Sequence, residues 1–151
     1  MSGMGNSILT GIDEFRTAAG PVVDVRTPSE FMQGHWPGAV NVPLFTDDQR
    51  HQVGLTYKQQ GRLDAIKLGL QLCGPALAQL SAQLTAAAAR PSAPLRIYCW
   101  RGGMRSNSMA WLAGLSDHPA TVLEGGYKCY RRWVLDRFNL SWPLRVLGGR
   151  T

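Results

Sequence analysis

The run Cys99-Trp100-Arg101-Gly102-Gly103-Met104-Arg105-Ser106 places a nucleophile, two fixed cations and a pair of glycines in one short stretch. Glycines let a backbone turn tightly with successive N–H groups facing inward. Such a nest attracts anions, most strongly when a helix begins behind it. A cysteine in that setting ionises more readily than a free one. Arg101 and Arg105 add positive charge, and Arg105 brings the forked donors that suit an oxyanion. The chemistry this favours is transfer of a chalcogen atom. The Cys99 thiolate attacks the outer sulfur or selenium of a donor, and the rest of the donor leaves as an anion. The loop then stabilises the negatively charged adduct until a second nucleophile collects the atom. No general base is needed, because the nucleophile is already ionised. The competing reading is an inert, buried strand-end cysteine beside a Gly-rich turn, since cysteines are commonly buried. The clustered glycines and arginines weigh against it. Cys73 and Cys129 lack such a setting and read as packing residues.

To present Cys99 at an opening, the chain must end a strand just before it and start a helix just after it. Leu95-Arg96-Ile97-Tyr98 reads as that strand and Ser106 to Leu115 as that helix. Val22-Val23-Asp24-Val25 is a β-branched run typical of a buried strand, Ala39-Val40-Asn41-Val42 a second and Thr121-Val122-Leu123 a further one. Ile8, Ile12 and Phe15 follow helical spacing, with Asn6 or Ser7 as cap and Gly20-Pro21 as stop. Thr27-Pro28 reads as a helix start. In the middle, Leu63, Ile66 and Leu70 form one apolar stripe and Leu77, Leu80 and Leu84 another, with a break expected at Gly74-Pro75. After Gly125-Gly126 a helix carries Tyr127, Tyr130 and Val134 on one face and Lys128, Arg131 and Arg132 on an adjacent one. Pro143 to Thr151 reads as a strand entering a Gly-rich turn. Short strands alternating with helices predict an α/β fold, a central parallel sheet with helices on both faces. Ligands of such sheets bind beyond the carboxyl ends of the strands, where Cys99 falls.

Composition narrows the classes. The chain has 151 residues, enough for one domain, and a formal net charge of +6, which favours anionic partners such as RNA, phosphate or other oxyanions. Its three cysteines are odd in number and widely spaced, with no C-x-x-C pair, and His35, His51 and His118 are scattered. Neither a disulfide framework nor a metal site is expected, and no cofactor is predicted. No apolar run approaches the ~20 residues of a membrane span, and Met1 to Thr10 lacks the basic and apolar blocks of a signal peptide. A cytoplasmic protein with free thiols and no membrane contact is the expectation.

The motifs together resemble the rhodanese domain family, from about Ile8 to Phe138. Val23-Asp24-Val25-Arg26 with Glu30-Phe31 resembles one signature. Gly34-His35-Trp36-Pro37-Gly38-Ala39-Val40-Asn41 resembles the next, and Leu123-Glu124-Gly125-Gly126-Tyr127 the closing Gly-Gly-aromatic turn. A narrower resemblance is to the N-terminal rhodanese domain of the tRNA 2-selenouridine synthases. It is carried by residues 43–61, by Ala65 and Leu68-Gly69-Leu70, and by the Cys99 loop itself. That resemblance implies a role for Cys99 in replacing the sulfur of wobble 2-thiouridine with selenium from selenophosphate, with tRNA as partner of the longer protein. It assigns Asp24, Arg26 and His35 supporting parts, which local chemistry reads as loop anchors. Lys58, Lys128, Arg131 and Arg132 become candidate tRNA contacts; the alternative for them is a solvated helix face. On this reading residues 1–140 form the rhodanese-like domain, and 141–151 the start of a P-loop domain cut before its lysine. Two other activities stay open. One is a stand-alone sulfurtransferase using a donor such as thiosulfate. The other is a phosphatase of rhodanese fold, because Cys99 to Arg105 also fits a Cys-x5-Arg pattern. Against the latter, no convincing general acid is visible for an alkoxide leaving group.

Overall fold

The computed structural model describes residues 7–149. Five strands, β1 (Ile8–Thr10), β2 (Val22–Asp24), β3 (Val40–Asn41), β4 (Leu95–Tyr98) and β5 (Ala120–Leu123), form one sheet in the order β1-β5-β4-β2-β3. Every pairing is parallel. The helices are α1 (Ile12–Thr17), α2 (Pro28–Gln33), α3 (Asp47–Gln60), α4 (Arg62–Cys73), α5 (Leu77–Ala88), α6 (Met104–Leu115) and α7 (Gly126–Phe138). Among the described residues no helix is long and apolar enough to cross a membrane.

Side-chain alternation along the central strands divides the interior in two. Val23, Leu95, Ile97 and Val122 face Leu80, Leu84, Met109 and Leu112 of α5 and α6. Val22, Tyr98 and Leu123 face Phe15 of α1 and the half-buried Trp36, Tyr127 and Tyr130. Because the sheet is covered on both sides, β2 is buried at every position, which is why its sequence reads as an unbroken apolar run apart from Asp24.

Gly74-Pro75 breaks the middle helix as expected, into α4, a single 3-10 turn at Gly74–Ala76, and α5. Capping boxes open two helices. Thr27 Oγ1 accepts from Glu30 N at 3.3 Å while Glu30 Oε2 accepts from Thr27 N at 2.9 Å. Thr46 and Gln49 do the same for α3 at 3.2 and 3.0 Å.

Four expectations are corrected. Ile8 is in a strand, not a helix: Ile8–Thr10 pairs with Thr121–Leu123, and the helix starts after Gly11, its N-cap. Glycine disfavours a helix interior, and the ladder to a distant strand outweighs the local spacing. Asn6, the other proposed cap, lies outside the described residues. The helix after Cys99 begins at Met104, two residues early, so Met104, Arg105 and Ser106 are its first turn rather than loop. On α4 the buried face is Ala65, Gly69 and Cys73, and the predicted stripe residues Leu63 and Leu70 are exposed. Small residues face inward there because the core packs close, with the ring of Phe45, just before α3, 3.4 Å from where a Gly69 Cβ would stand. Finally, residues 141–149 have no regular structure; Arg150 and Thr151 lie outside the described residues.

Candidate active site

Cys99 directly follows the last residue of β4 and is 3 % exposed. Its carbonyl accepts from Tyr127 N at 2.8 Å, and the Trp100 carbonyl accepts from Lys128 N at 3.0 Å, so the N-terminus of α7 grips the start of the loop. A trans peptide is planar with its C=O and N–H opposed. Pinning those two carbonyls on α7 therefore turns the N–H groups of Trp100 and Arg101 away from it. Two glycines make this possible. Gly102 has φ +69°, and a Cβ there would stand 2.6 Å from Leu123 O and 2.8 Å from Gly125 N. Gly126 has φ +57°, and a Cβ there would stand 2.6 Å from Gly102 N. The Cys99 loop and the Gly-Gly turn are thus pressed backbone to backbone, with no room for a side chain at either point.

The thiol is surrounded by donors despite its burial. Its Sγ lies 3.3 Å from Ser106 Oγ, and that hydroxyl also reaches the Gly103 carbonyl at 3.0 Å. One hydroxyl proton serves two acceptors. Burial pushes the Cys99 thiol up, but the Ser106 hydroxyl and N–H, the Arg105 charge and the Gly103 N–H together hold it below the ordinary thiol range. Cys73 goes the other way, pushed up by burial.

The other predicted site residues separate into groups. Arg105 is not free to clasp an oxyanion. Its Nη1 and Nη2 donate to Glu30 at 2.8 and 3.3 Å, the same carboxylate that caps α2. Burial works against that carboxylate's charge, yet Arg105 and the Thr27 N–H keep its pKa below the usual range. Arg101 is exposed on the rim, and Trp100 packs near Tyr127 with ring centroids 5.8 Å apart. Asp24 and Arg26 sit across the sheet from the sulfur as a fully buried pair, 2.7 Å apart. Asp24 also accepts from the Tyr98 hydroxyl at 2.6 Å. They fix the strand end before Cys99 rather than touch it. His35 is exposed, stacked on Phe31 with Nδ1 2.9 Å from the Phe31 carbonyl, and does not line the opening near Cys99. Lys58 belongs to α3 on one side of the sheet, whereas Lys128, Arg131 and Arg132 belong to α7 on the other, all four exposed. Among the described residues no cluster of three or more His, Cys, Asp or Glu side chains is placed to hold a metal.

Cys99 opens onto a groove of about 1600 Å³ between α6 and the α3–α4 pair. Arg50, Tyr57 and Lys58 line one wall, Ile66, Leu70 and Cys73 another, and Met104, Arg105 and Trp111 a third. The groove is mostly apolar apart from its cations. Its carboxylates, Glu30 and Asp47, are both held below their ordinary range, Asp47 through the hydroxyl of Thr27 and the Ser29 donors. Neither stays protonated to act as a general acid. Sequence reasoning missed two contributors here. The Glu30–Arg105 pair was half-visible, because Thr27-x-x-Glu30 reads as a capping box. Arg50 carried no signal beyond its charge.

A model of the rhodanese-like domain matches residues 10–132. The tRNA 2-selenouridine synthase of Sulfurovum sp. strain NBC37-1 is 41% identical over 137 residues, covering 87% of this chain and 37% of that protein. The tRNA 2-selenouridine synthase of Bordetella petrii is 45% identical over 140 residues, 87% of this chain and 36% of that protein. The chain thus spans little more than a third of the length of these relatives. Among solved structures, the N-terminal domain of a putative ATP/GTP binding protein from Clostridium difficile 630 superposes with a TM-score of 0.76 at 36% identity, covering 84% of this chain and 98% of that one.

Proposed function

We propose, from the premise that this chain belongs to the rhodanese-like domain family, that it carries sulfur or selenium as a covalent adduct on Cys99. The observation that bears most weight is the Cys99 thiol itself, 3 % exposed yet held below its ordinary pKa by the donors of Ser106 and Gly103 and by Arg105. Burial alone has the opposite effect, so the donors are there to favour the anion.

With a sulfane donor such as thiosulfate the step is balanced. The Cys99 thiolate attacks the outer sulfur, a new S–S bond forms, and the donor's S–S bond breaks with its electron pair leaving on sulfite. The negative charge that remains is a persulfide anion on Cys99, facing the same donors that held the thiolate. A nucleophile such as cyanide then takes the outer sulfur and restores the thiolate.

The similarity to tRNA 2-selenouridine synthases supports a narrower reading. Here the domain handles the chalcogen in exchanging the sulfur of a tRNA 2-thiouridine for selenium, with selenophosphate as the physiological donor and the reducing cytoplasm as its setting. Selenophosphate differs from thiosulfate in carrying its chalcogen at the selenide level on phosphorus, so the adduct-forming step applies to a sulfane donor and not to selenophosphate itself. The exposed cations Lys58, Lys128, Arg131 and Arg132 are the proposed tRNA contacts. Phosphatase chemistry is disfavoured, because Glu30 occupies the Arg105 fork and no groove carboxyl stays protonated.

The test is thiosulfate-to-cyanide sulfur transfer, read as thiocyanate. The wild type is expected to turn over and Cys99→Ala to fall to background. Equal activity in both, or aryl phosphate hydrolysis without sulfur transfer, overturns the proposal. Alkylation by iodoacetamide at pH 6 is expected to label Cys99 before Cys73 and Cys129, and equal rates would remove the claim of an activated thiol.

A further inference from the structure

A second opening lies at the other end of the strands from Cys99, where β4 and β5 begin. It is a pocket of about 460 Å³ formed by the turns that follow α5 and α6, and Arg90, Ser92, Ser116, Asp117 and His118 help to line it. The chemistry at Cys99 makes no use of it.

This pocket holds a polar atom that the fold leaves without a partner. His118 is 2 % exposed, and its Nδ1 lies 2.9 Å from the Ala93 carbonyl. A carbonyl only accepts, so Nδ1 carries the ring hydrogen and Nε2 of the neutral ring presents a lone pair. Among the described residues Nε2 has no hydrogen-bond partner. The unpartnered side-chain polar atoms sealed from the surface there are Thr10 Oγ1 and Trp133 Nε1. Nε2 therefore keeps contact with the surface, and the surface that His118 lines is this pocket. A bare acceptor in a buried ring is unfavourable unless something fills it.

The surroundings say what would fill it. α5 ends at Ala88 and α6 at Leu115, and neither has a basic residue in its last turn. The carbonyls at a helix C-terminus carry partial negative charge, and the exposed Asp117 adds a full one. Arg90 is the one cation of the lining, and among the described residues it forms no ion pair with Asp117. The non-glycine residues in the left-handed region among the described residues are Ala89, Ser92 and Asp117, with φ of 65°, 54° and 59°, and all three line this pocket. Such backbone costs free energy and gathers at ligand clamps. An anion would meet Asp117 and two helix ends of the wrong sign. A metal ion would find too few ligands, since no three His, Cys, Asp or Glu side chains cluster among the described residues. A cationic N–H donor suits every feature. It gives one hydrogen to Nε2 and another to the carboxylate, with its methylenes against Ala86 and Pro91.

We propose that this pocket is a second binding site, for a primary alkylammonium group, with His118 Nε2 and Asp117 as its acceptors. A free aliphatic diamine and a lysine side chain of a protein segment share that chemistry. The site stands independently of the chalcogen-transfer reading.

The test is a titration of the whole 15N-labelled chain at pH 8, read on the His118 ring nitrogens. The probes are 1,5-diaminopentane and N-acetyl-lysine methylamide. Before any addition, His118 is expected to show hydrogen on Nδ1 and none on Nε2; the opposite tautomer overturns the assignment. Diaminopentane is expected to shift Nε2 saturably and to leave His35 and His51 in place. Asp117→Asn, whose new side chain tolerates the left-handed backbone, is expected to weaken binding by about tenfold, the loss of one charge-assisted contact. Arg90→Gln, which removes the opposing charge, is expected to strengthen it by about twofold. Binding of both probes points to a lysine side chain, and binding of the diamine alone to a free amine. No saturable shift with either probe up to about 10 mM, an equal shift with sodium chloride at matched ionic strength, or affinities unchanged in both variants overturns the site. If Asp117→Asn is not folded by circular dichroism, Arg90→Gln decides.

Discussion

Tyr98 and Cys99 are adjacent in the chain and serve opposite sides of the sheet end. On the Tyr98 side the buried Asp24, Arg26 and Tyr98 side chains are partnered by one another and by backbone, although Trp133 Nε1 on the same side is buried without a partner among the described residues. Tyr98 Oη donates to Asp24 at 2.6 Å and accepts from Trp36 N at 3.0 Å. Arg26 donates to Asp24 and to the Gly34 carbonyl, each at 2.7 Å, and its guanidinium lies 3.9 Å from the Tyr127 ring centroid. Burial and the Asp24 carboxylate push the Tyr98 phenol well above its ordinary range, so it remains a donor at any physiological pH. On the Cys99 side the account is left open. A thiol is ringed by donors, the Arg50 guanidinium has no acceptor among the described residues, and an apolar groove leads away from both. The contrast teaches how to assign roles. Polar groups that consume one another position the backbone, whereas the donors around Cys99 converge on an ionisable sulfur.

The comparison breaks most readily at Asp24. Asp24→Ala leaves Arg26 charged, buried and unpaired, and removing one member of such a pair typically costs about 3–5 kcal/mol. Urea denaturation is expected to show a loss of that order. A loss below about 1 kcal/mol would mean that the closed side is not held by this network.

A smaller effect belongs to Glu30, which bridges α2 and the groove. Glu30→Gln is expected to destabilise by about 1 kcal/mol or less at neutral pH, since the pair is partly exposed and screened. The sign of its pH dependence follows from the lowered folded pKa. The stabilisation is full above the unfolded carboxyl pKa of about 4.3 and is lost as pH falls through the lower folded value. Stability curves for the wild type and Glu30→Gln should therefore converge on acidification. Curves that stay parallel would show that Glu30 is not ionised in its pairing with Arg105.

The smallest expected effect decides which side meets RNA. Each phosphate contact removed should reduce the slope of log affinity against log salt by roughly 0.7–0.9. If tRNA approaches along the groove, Lys58→Gln lowers the slope and Arg131→Gln with Arg132→Gln does not. The reverse result places it on α7, and no change with either removes both as contacts.

Much of this was legible in one dimension. Val22-Val23 and Leu95 to Tyr98 read as strands because both faces of a parallel strand are covered, so burial appears as an unbroken apolar run. The Cys99 loop read as an anion cradle because glycines and a following helix leave few other backbone paths. Ile8–Thr10 did not, because its partner, Thr121–Leu123, is remote in sequence and only that pairing makes it a strand. Leu63 and Leu70 looked like core. Spacing alone does not say which helix face meets a neighbour, and the Phe45 ring packs on the face with the small residues.

What the residue order determined, then, was the place of the Cys99 thiol at a strand end, its turn and the alternation of strands and helices, all of which depend on neighbours a few positions apart. Which cations are free was decided by the fold. Glu30 and Arg105 are 75 residues apart, and only their packing pairs that guanidinium, while Arg50 has no ion-pair partner among the described residues. Ion pairing depends on distance in space, which a linear chain does not encode until its layers have closed.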